Sequence, residues 1–190
     1  AVPHRSPGAE RGSGGHTLSL FSLSKAYGMA GWRIGYAGVP QQLIEALATA
    51  VEAEADRDPA YAALLARLPS VGELMLEHTP ADPAALAETR KAAKAALARR
   101  LAGFCAKVLN APSPAPFNPG AEQAGIRALR CEAIDLLGAE EKSSDLLGLY
   151  QSASNMTESL AALRALAGIE DAPERGEALS DFHATWASNQ

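Results

Sequence analysis

The chain has 190 residues, enough for one ordinary domain, or for a small domain with part of a second, and enough to bury a real core. With 22 acidic against 17 basic side chains and no run of lysine or arginine, its charge gives no reason to expect a nucleic acid or an anionic membrane as partner. No apolar run approaches the roughly 20 residues that span a bilayer, and the first residues lack the charged-then-apolar order of a signal peptide.

In chain order, residues 1–15 carry prolines and glycines with almost nothing to bury, and read as a flexible arm. From Thr17 to Ser24 apolar Leu18 and Leu20 alternate with Ser19 and Ser22, which predicts a strand. A second strand is predicted from Trp32 to Val39, after the turn AYGMAG. Pro40 opens a helix with Leu43, Ile44, Leu47 and Val51 on one face. After about Ala55 only alanine- and leucine-rich helices follow. Ser70 with Glu73 forms a capping box, and Asp82 before Pro83 is an N-cap with proline at the first helical position. From Pro83 the residues Leu86, Ala93, Leu97, Leu101, Phe104 and Val108 predict one long helix with a single buried stripe. Residues 111–120, APSPAPFNPG, are a loop on composition. Helix resumes with Ile126, Leu129, Ala133 and Leu136, and continues through Leu146, Leu149 and Ala153. Asn155 with a reciprocal Glu158 starts a helix carrying Met156, Leu160 and Leu163, and Leu179, Phe182 and Trp186 mark the last one. The expected fold is mainly α, an antiparallel, superhelical, repeat-like helical array preceded by a short N-terminal strand pair.

Cys105 and Cys131 sit on stretches of helical apolar spacing, where a thiol behaves as a small buried hydrophobe rather than as half of a disulfide. The expected setting is reducing and cytoplasmic. His4, His16, His78 and His183 are scattered, and no pair has the spacing of helical metal ligands, so cap or surface roles are expected and no zinc site.

The candidate chemistry lies in HTLSLFSLSKAYGMAGWRIGY, residues 16–36. A pyridoxal phosphate enzyme needs an amine to hold the aldehyde as an imine and a strong anion site for the phosphate. Lys25 and Arg33 can supply these. The order Ser22, Ser24, Lys25, Gly28, Gly31, Arg33, Gly35 resembles the cofactor-attachment segment of class I and II aminotransferases, a likeness that extends over about residues 1–48. The resemblance implies that Lys25 is the catalytic imine lysine and that Ser22 and Arg33 bind the cofactor phosphate. The family's ring-stacking aromatic, the aspartate at the ring nitrogen and the arginine for the substrate carboxylate have no counterpart in this fragment. Weak pyridoxal phosphate binding is therefore the expectation.

The remainder, from about Asp56 to Asn189, resembles part of the carboxy-terminal helical domain of the bacterial aminopeptidase N family. The stretches that carry this are DPAYAALLARLPSVGEL, ADPAALAETRKAAKAALARRLA, ALRCEAIDLLGA and SASNMTESLAALRALAG followed by ALSDFHATW. In that zinc-dependent family the domain is a helical array that covers the catalytic domain and holds no metal. Three segments follow: the arm 1–15, an aminotransferase-like strand-turn-strand-helix fragment 16–55, and an aminopeptidase-N-like helical fragment 56–190. The two resemblances imply a chimera of two family fragments joined near residues 46–56, without complete catalytic machinery. Its first expected role is a helical scaffold or interaction module. The alternatives are remnant pyridoxal phosphate chemistry at Lys25, with a protein partner completing the pocket, and an accessory or lid fragment acting on an aminopeptidase catalytic domain.

Overall fold

The computed structural model describes residues 19–22, 35–38, 41–76 and 82–187. Strands β1, Ser19–Ser22, and β2, Gly35–Gly38, pair antiparallel with Ser19 opposite Gly38 and Ser22 opposite Gly35. A ladder of this length is marginal by itself.

All other described elements are helices. In order they are α1, Gln41–Glu54, α2, Pro59–Ala66, α3, Val71–Leu76, α4, Pro83–Asn110, α5, Ala121–Gly138, α6, Ser143–Ser152, α7, Met156–Ala167, and α8, Pro173–Trp186. Local chemistry sets their starts. Asp58 accepts from the Tyr61 amide at 3.0 Å and Pro59 takes the first helical position of α2. Ser70 and Glu73 form the reciprocal box expected of them, with Glu73 N–H donating to Ser70 Oγ at 3.2 Å and Ser70 N–H to Glu73 Oε2 at 2.7 Å. Asp82 Oδ1 accepts from the amides of Ala84 and Ala85, so α4 starts at Pro83. It runs unbroken for 28 residues to the proline-rich loop.

The chain forms two compact units. The first takes in residues 1–49 and 68–100, the second residues 50–67 and 101–190, so α1 and α4 each contribute to both. In the first unit Ile44, Ala48, Leu86 and Leu97 are buried. Arg100 Nε meets Glu45 Oε2 at 2.6 Å, and Arg90 Nε donates to the Pro69 carbonyl at 2.7 Å. Leu43, expected on the apolar face of α1, is exposed, and Ala48 takes the buried stripe with Ile44 and Val51. Alanine fits where a larger side chain would have to be accommodated.

In the second unit α5, α6, α7 and α8 enclose the main core of Ile134, Leu146, Tyr150, Ala162, Leu163, Leu166 and Ala178. Each fully buried leucine there contributes about 1.5–3 kcal/mol. A smaller cluster of Ala62, Ala63 and Leu129 joins α2 to α5, backed by Ala55, Phe104 and Val108. Two glycines permit close helix approach: a Cβ on Gly125 would lie 3.2 Å from the Ala60 backbone nitrogen, and one on Gly138 would lie 3.1 Å from Ala165 Cβ. On α8 the buried residue is Ala178, whereas Leu179 and Trp186, both read as marks of the apolar face, are exposed. Tyr150 Oη donates to Asp181 Oδ2 at 2.7 Å and fastens α6 to α8. Burial, followed by that hydrogen bond, pushes the Tyr150 phenol up to about 12.

Candidate functional site

Of the residues singled out by the sequence, Ser22 pairs through its backbone opposite Gly35. Lys25 and Arg33 lie outside the described residues, as do His4, His16 and His78. His183 is exposed on α8. Among the described residues no three His, Cys, Asp or Glu side chains come together in a way that could hold a metal ion, so these residues do not fit a zinc centre. No helix among them is long and apolar enough to cross a membrane.

What the second unit does build is a buried charge cluster beside a cleft. Arg130 on α5 and Glu158 on α7 pair at 2.9 Å, with side chains only 8% and 5% exposed. An ion pair so deep is stable only when its remaining hydrogen-bonding capacity is met. Here it is: Glu158 Oε1 accepts from Ser113 Oγ at 2.5 Å and from Asn155 Nδ2 at 3.2 Å. The Arg130 Nη1 group donates to the carbonyls of Val108 and Ala111 at 2.8 and 2.7 Å, which answers carbonyls at the end of α4. Burial pushes the Glu158 carboxyl up, but hydrogen bonds from Ser113, Asn155 and Arg130, with the guanidinium charge, outweigh it and hold the group below its ordinary value of 4.5.

This arrangement changes the capping geometry expected at α7. Asn155 Oδ1 accepts from the Glu158 amide at 3.0 Å, as an N-cap should. The glutamate, however, does not close the box on the Asn155 backbone. Its carboxylate goes to Arg130, Ser113 and the Asn155 side chain, and the charge-assisted bond to the guanidinium is stronger than one to a neutral amide.

Next to the pair lies a cleft of about 730 Å³. Its floor is the outer side of the α2–α5 cluster, with Phe104, Val108, Ile126 and Leu129, and Arg130 forms part of its wall. Its rim carries Asp56, Arg57 and Asp58 from the α1–α2 turn, Lys107 from α4 and Glu122 from the first turn of α5. The proline-rich loop that follows α4 is fastened beside it. Arg127 stacks over the Phe117 ring at 4.6 Å and donates to the Asn118 carbonyl at 2.9 Å, and Gln123 bonds the Asn118 amide and the Pro116 carbonyl. Sequence reasoning missed Arg127, Arg130 and Asp58. Asp58–Pro59 repeats the Asp82–Pro83 signature and was legible; the two arginines stand on the buried face of α5, and only that burial sets them apart from solvated charges.

Residues 14–190 match the family described as Domain of unknown function (DUF3458_C) ARM repeats. Aminopeptidase N of Caulobacter vibrioides is 34% identical over 133 residues, which is 68% of this chain and 15% of that protein. An aspartate aminotransferase of Rhizobium meliloti is 42% identical over 73 residues, 37% of this chain and 18% of that protein. Among solved structures, aminopeptidase A of Legionella pneumophila, crystallised with aspartic acid, superposes with a TM-score of 0.63 at 24% identity, over 79% of this chain and 19% of that one. That likeness speaks for the fold alone. The chain spans less than a fifth of the length of each of these relatives. One family match runs without a break across residues 46–56, where two unrelated fragments were expected to join, and the fusion is not supported by it. The aminotransferase likeness rests on a short match only. The chain belongs to the DUF3458_C family of ARM-repeat helical domains.

Proposed function

We propose that this chain is the helical, non-catalytic module of an aminopeptidase-N-type enzyme, a domain that lies against a separate catalytic domain and limits access to it. The observation that carries the reading is the family match over residues 14–190, together with the likeness of 68% of the chain to aminopeptidase N. The described helices support it in their packing: the buried pair of Arg130 and Glu158 ties α5 to α7 and to the end of α4. The test is to add the full chain to an aminopeptidase N truncated before its own carboxy-terminal helices. Co-elution on gel filtration and a changed preference between short and long peptides are expected. Hydrolysis of an aminoacyl anilide by the purified chain alone, lost on adding a chelator, would sink the proposal.

A second reading has one observation in its favour, the short match to aspartate aminotransferase. On it Lys25 forms an imine with pyridoxal phosphate while Ser22 and Arg33 hold the phosphate, and a partner chain completes the pocket. Borohydride reduction after incubation with the cofactor, followed by peptide mapping, decides between them. Label confined to Lys25 favours this reading; label spread over the lysines, Lys91 and Lys94 included, removes it.

A further inference from the structure

The cleft of the second unit has two properties that together select a ligand. Its floor is apolar, made by Phe104, Val108, Ile126 and Leu129, and at about 730 Å³ it falls in the range of clefts that take small organic molecules. Its rim is unbalanced in charge. Arg57 is drawn to Glu54 at 3.4 Å, and Arg130 is held by Glu158 at 2.9 Å. Lys107 then shares the rim with the carboxylates of Asp56, Asp58 and Glu122.

We propose that this cleft binds a small organic cation: an aromatic or branched aliphatic body seated on the Phe104–Leu129 floor, with a primary ammonium among the rim carboxylates. Removal of the apolar body from water supplies most of the affinity. The sign of the rim supplies the selectivity, since a cation is attracted and an anion of equal size repelled. Asp58 spends Oδ1 on the α2 cap and adds its charge to those of Asp56 and Glu122 on the cleft's lining. Lys107 opposes binding.

The experiment uses the full chain and dansylcadaverine, a fluorescent naphthalene sulfonamide carrying a pentyl ammonium, with the dansyl derivative of aminocaproic acid as the anion of matching size. Dansylcadaverine should bind saturably with a blue-shifted emission, and the anion about tenfold more weakly or not at all. Asp56→Asn and Glu122→Gln should each weaken the cation severalfold. Lys107→Met should strengthen it severalfold, a gain that damage to the fold does not produce. All three positions are exposed, and unchanged helical melting certifies each variant. Equal binding of the two probes, or titration curves that superimpose for wild type and all three variants, would overturn the proposal. So would the absence of any saturable component. None of these outcomes bears on the association with a catalytic domain proposed above.

Discussion

Among the described residues, the buried Arg130–Glu158 pair is a residue-scale feature with a large consequence for stability. Removing one partner leaves the other charge buried, which costs about 3–5 kcal/mol. Arg130→Met should reach that range, because the carbonyls of Val108 and Ala111 lose their donor as well. The pH dependence follows from the direction of the Glu158 shift. Its folded value is held below 4.5, so the stabilisation is complete above 4.5 and is lost as pH falls through the folded value. In Arg130→Met the guanidinium's hydrogen bond and charge are gone while burial and the bonds from Ser113 and Asn155 remain, so the Glu158 value rises from its wild-type position. The variant therefore has less pH-dependent stabilisation to lose on acidification than the wild type. The gap between wild type and variant in urea melts should therefore narrow steadily as pH drops below 4.5; a gap constant with pH would show that Glu158 is not the responsible charge. The thiols offer a second residue-scale expectation. Burial, then neighbouring carboxylates, pushes Cys105 and Cys131 each up to about 11. Only the thiolate alkylates readily, so iodoacetamide at pH 8 should leave both nearly unmodified in the native chain and label both in denaturant. Rapid native labelling of Cys131, which is half-buried, would mean that its contact with the Thr157 carbonyl opens freely.

At the scale of the element, close packing between helices is most exposed to test at Gly125. A Cβ there already lies 3.2 Å from the Ala60 amide nitrogen and 3.3 Å from Ala60 Cβ, so Gly125→Val drives branched methyls into the start of α2. Overpacking of this kind costs about 1–3 kcal/mol, which exceeds the helix propensity gained on replacing glycine. Chemical denaturation should show the loss, with Gly103→Val as the control, since nothing lies within 4 Å of a Cβ at Gly103. Comparable losses in both would assign the effect to the helix itself rather than to the α2–α5 contact. Helix starts were the most legible part of the fold. Ser70, Asp82 and Asn155 each cap the helix that their spacing announces, because a capping bond needs only residues two or three apart. What the sequence hid was tertiary. The direction of the Glu158 carboxylate depends on Arg130, 28 positions away, and the burial of Ala178 in place of Leu179 depends on which side of α8 meets α6 and α7. The cleft was invisible for the same reason: its rim residues look like ordinary surface charges until α2, α4 and α5 bring them together. Nothing among the described residues bears on Lys25 or Arg33, whose signal is a local motif.

At the scale of the whole molecule, the distribution of core residues along the chain decides what truncation should do. The buried residues of the main cluster of the second unit lie between Ile134 and Ala178, and those of its smaller cluster stand on α2 and α5, backed by Ala55 and by Phe104 and Val108 of α4. The described residues that build these two clusters all lie beyond residue 40. Removing residues 1–40 should leave the cooperative helical melt of the second unit in place, because the two short strands are too little sheet to hold a helical core. Removing residues 1–67 is a different operation. It takes away α1 with its buried Ile44, Ala48 and Val51, and α2 as well, so Ala62 and Ala63 are lost and Leu129, now 6% exposed, is opened to water. That single leucine is worth about 1.5–3 kcal/mol. For a chain of this size each kcal/mol moves the melting midpoint by about 2–4 °C, so the longer truncation should melt lower by several degrees while the shorter one should not. Circular dichroism melts of the three chains distinguish the possibilities. A shorter truncation that loses cooperative melting would mean that the first 40 residues belong to the folding unit of the helices, and the independence of the second unit's core would be refuted.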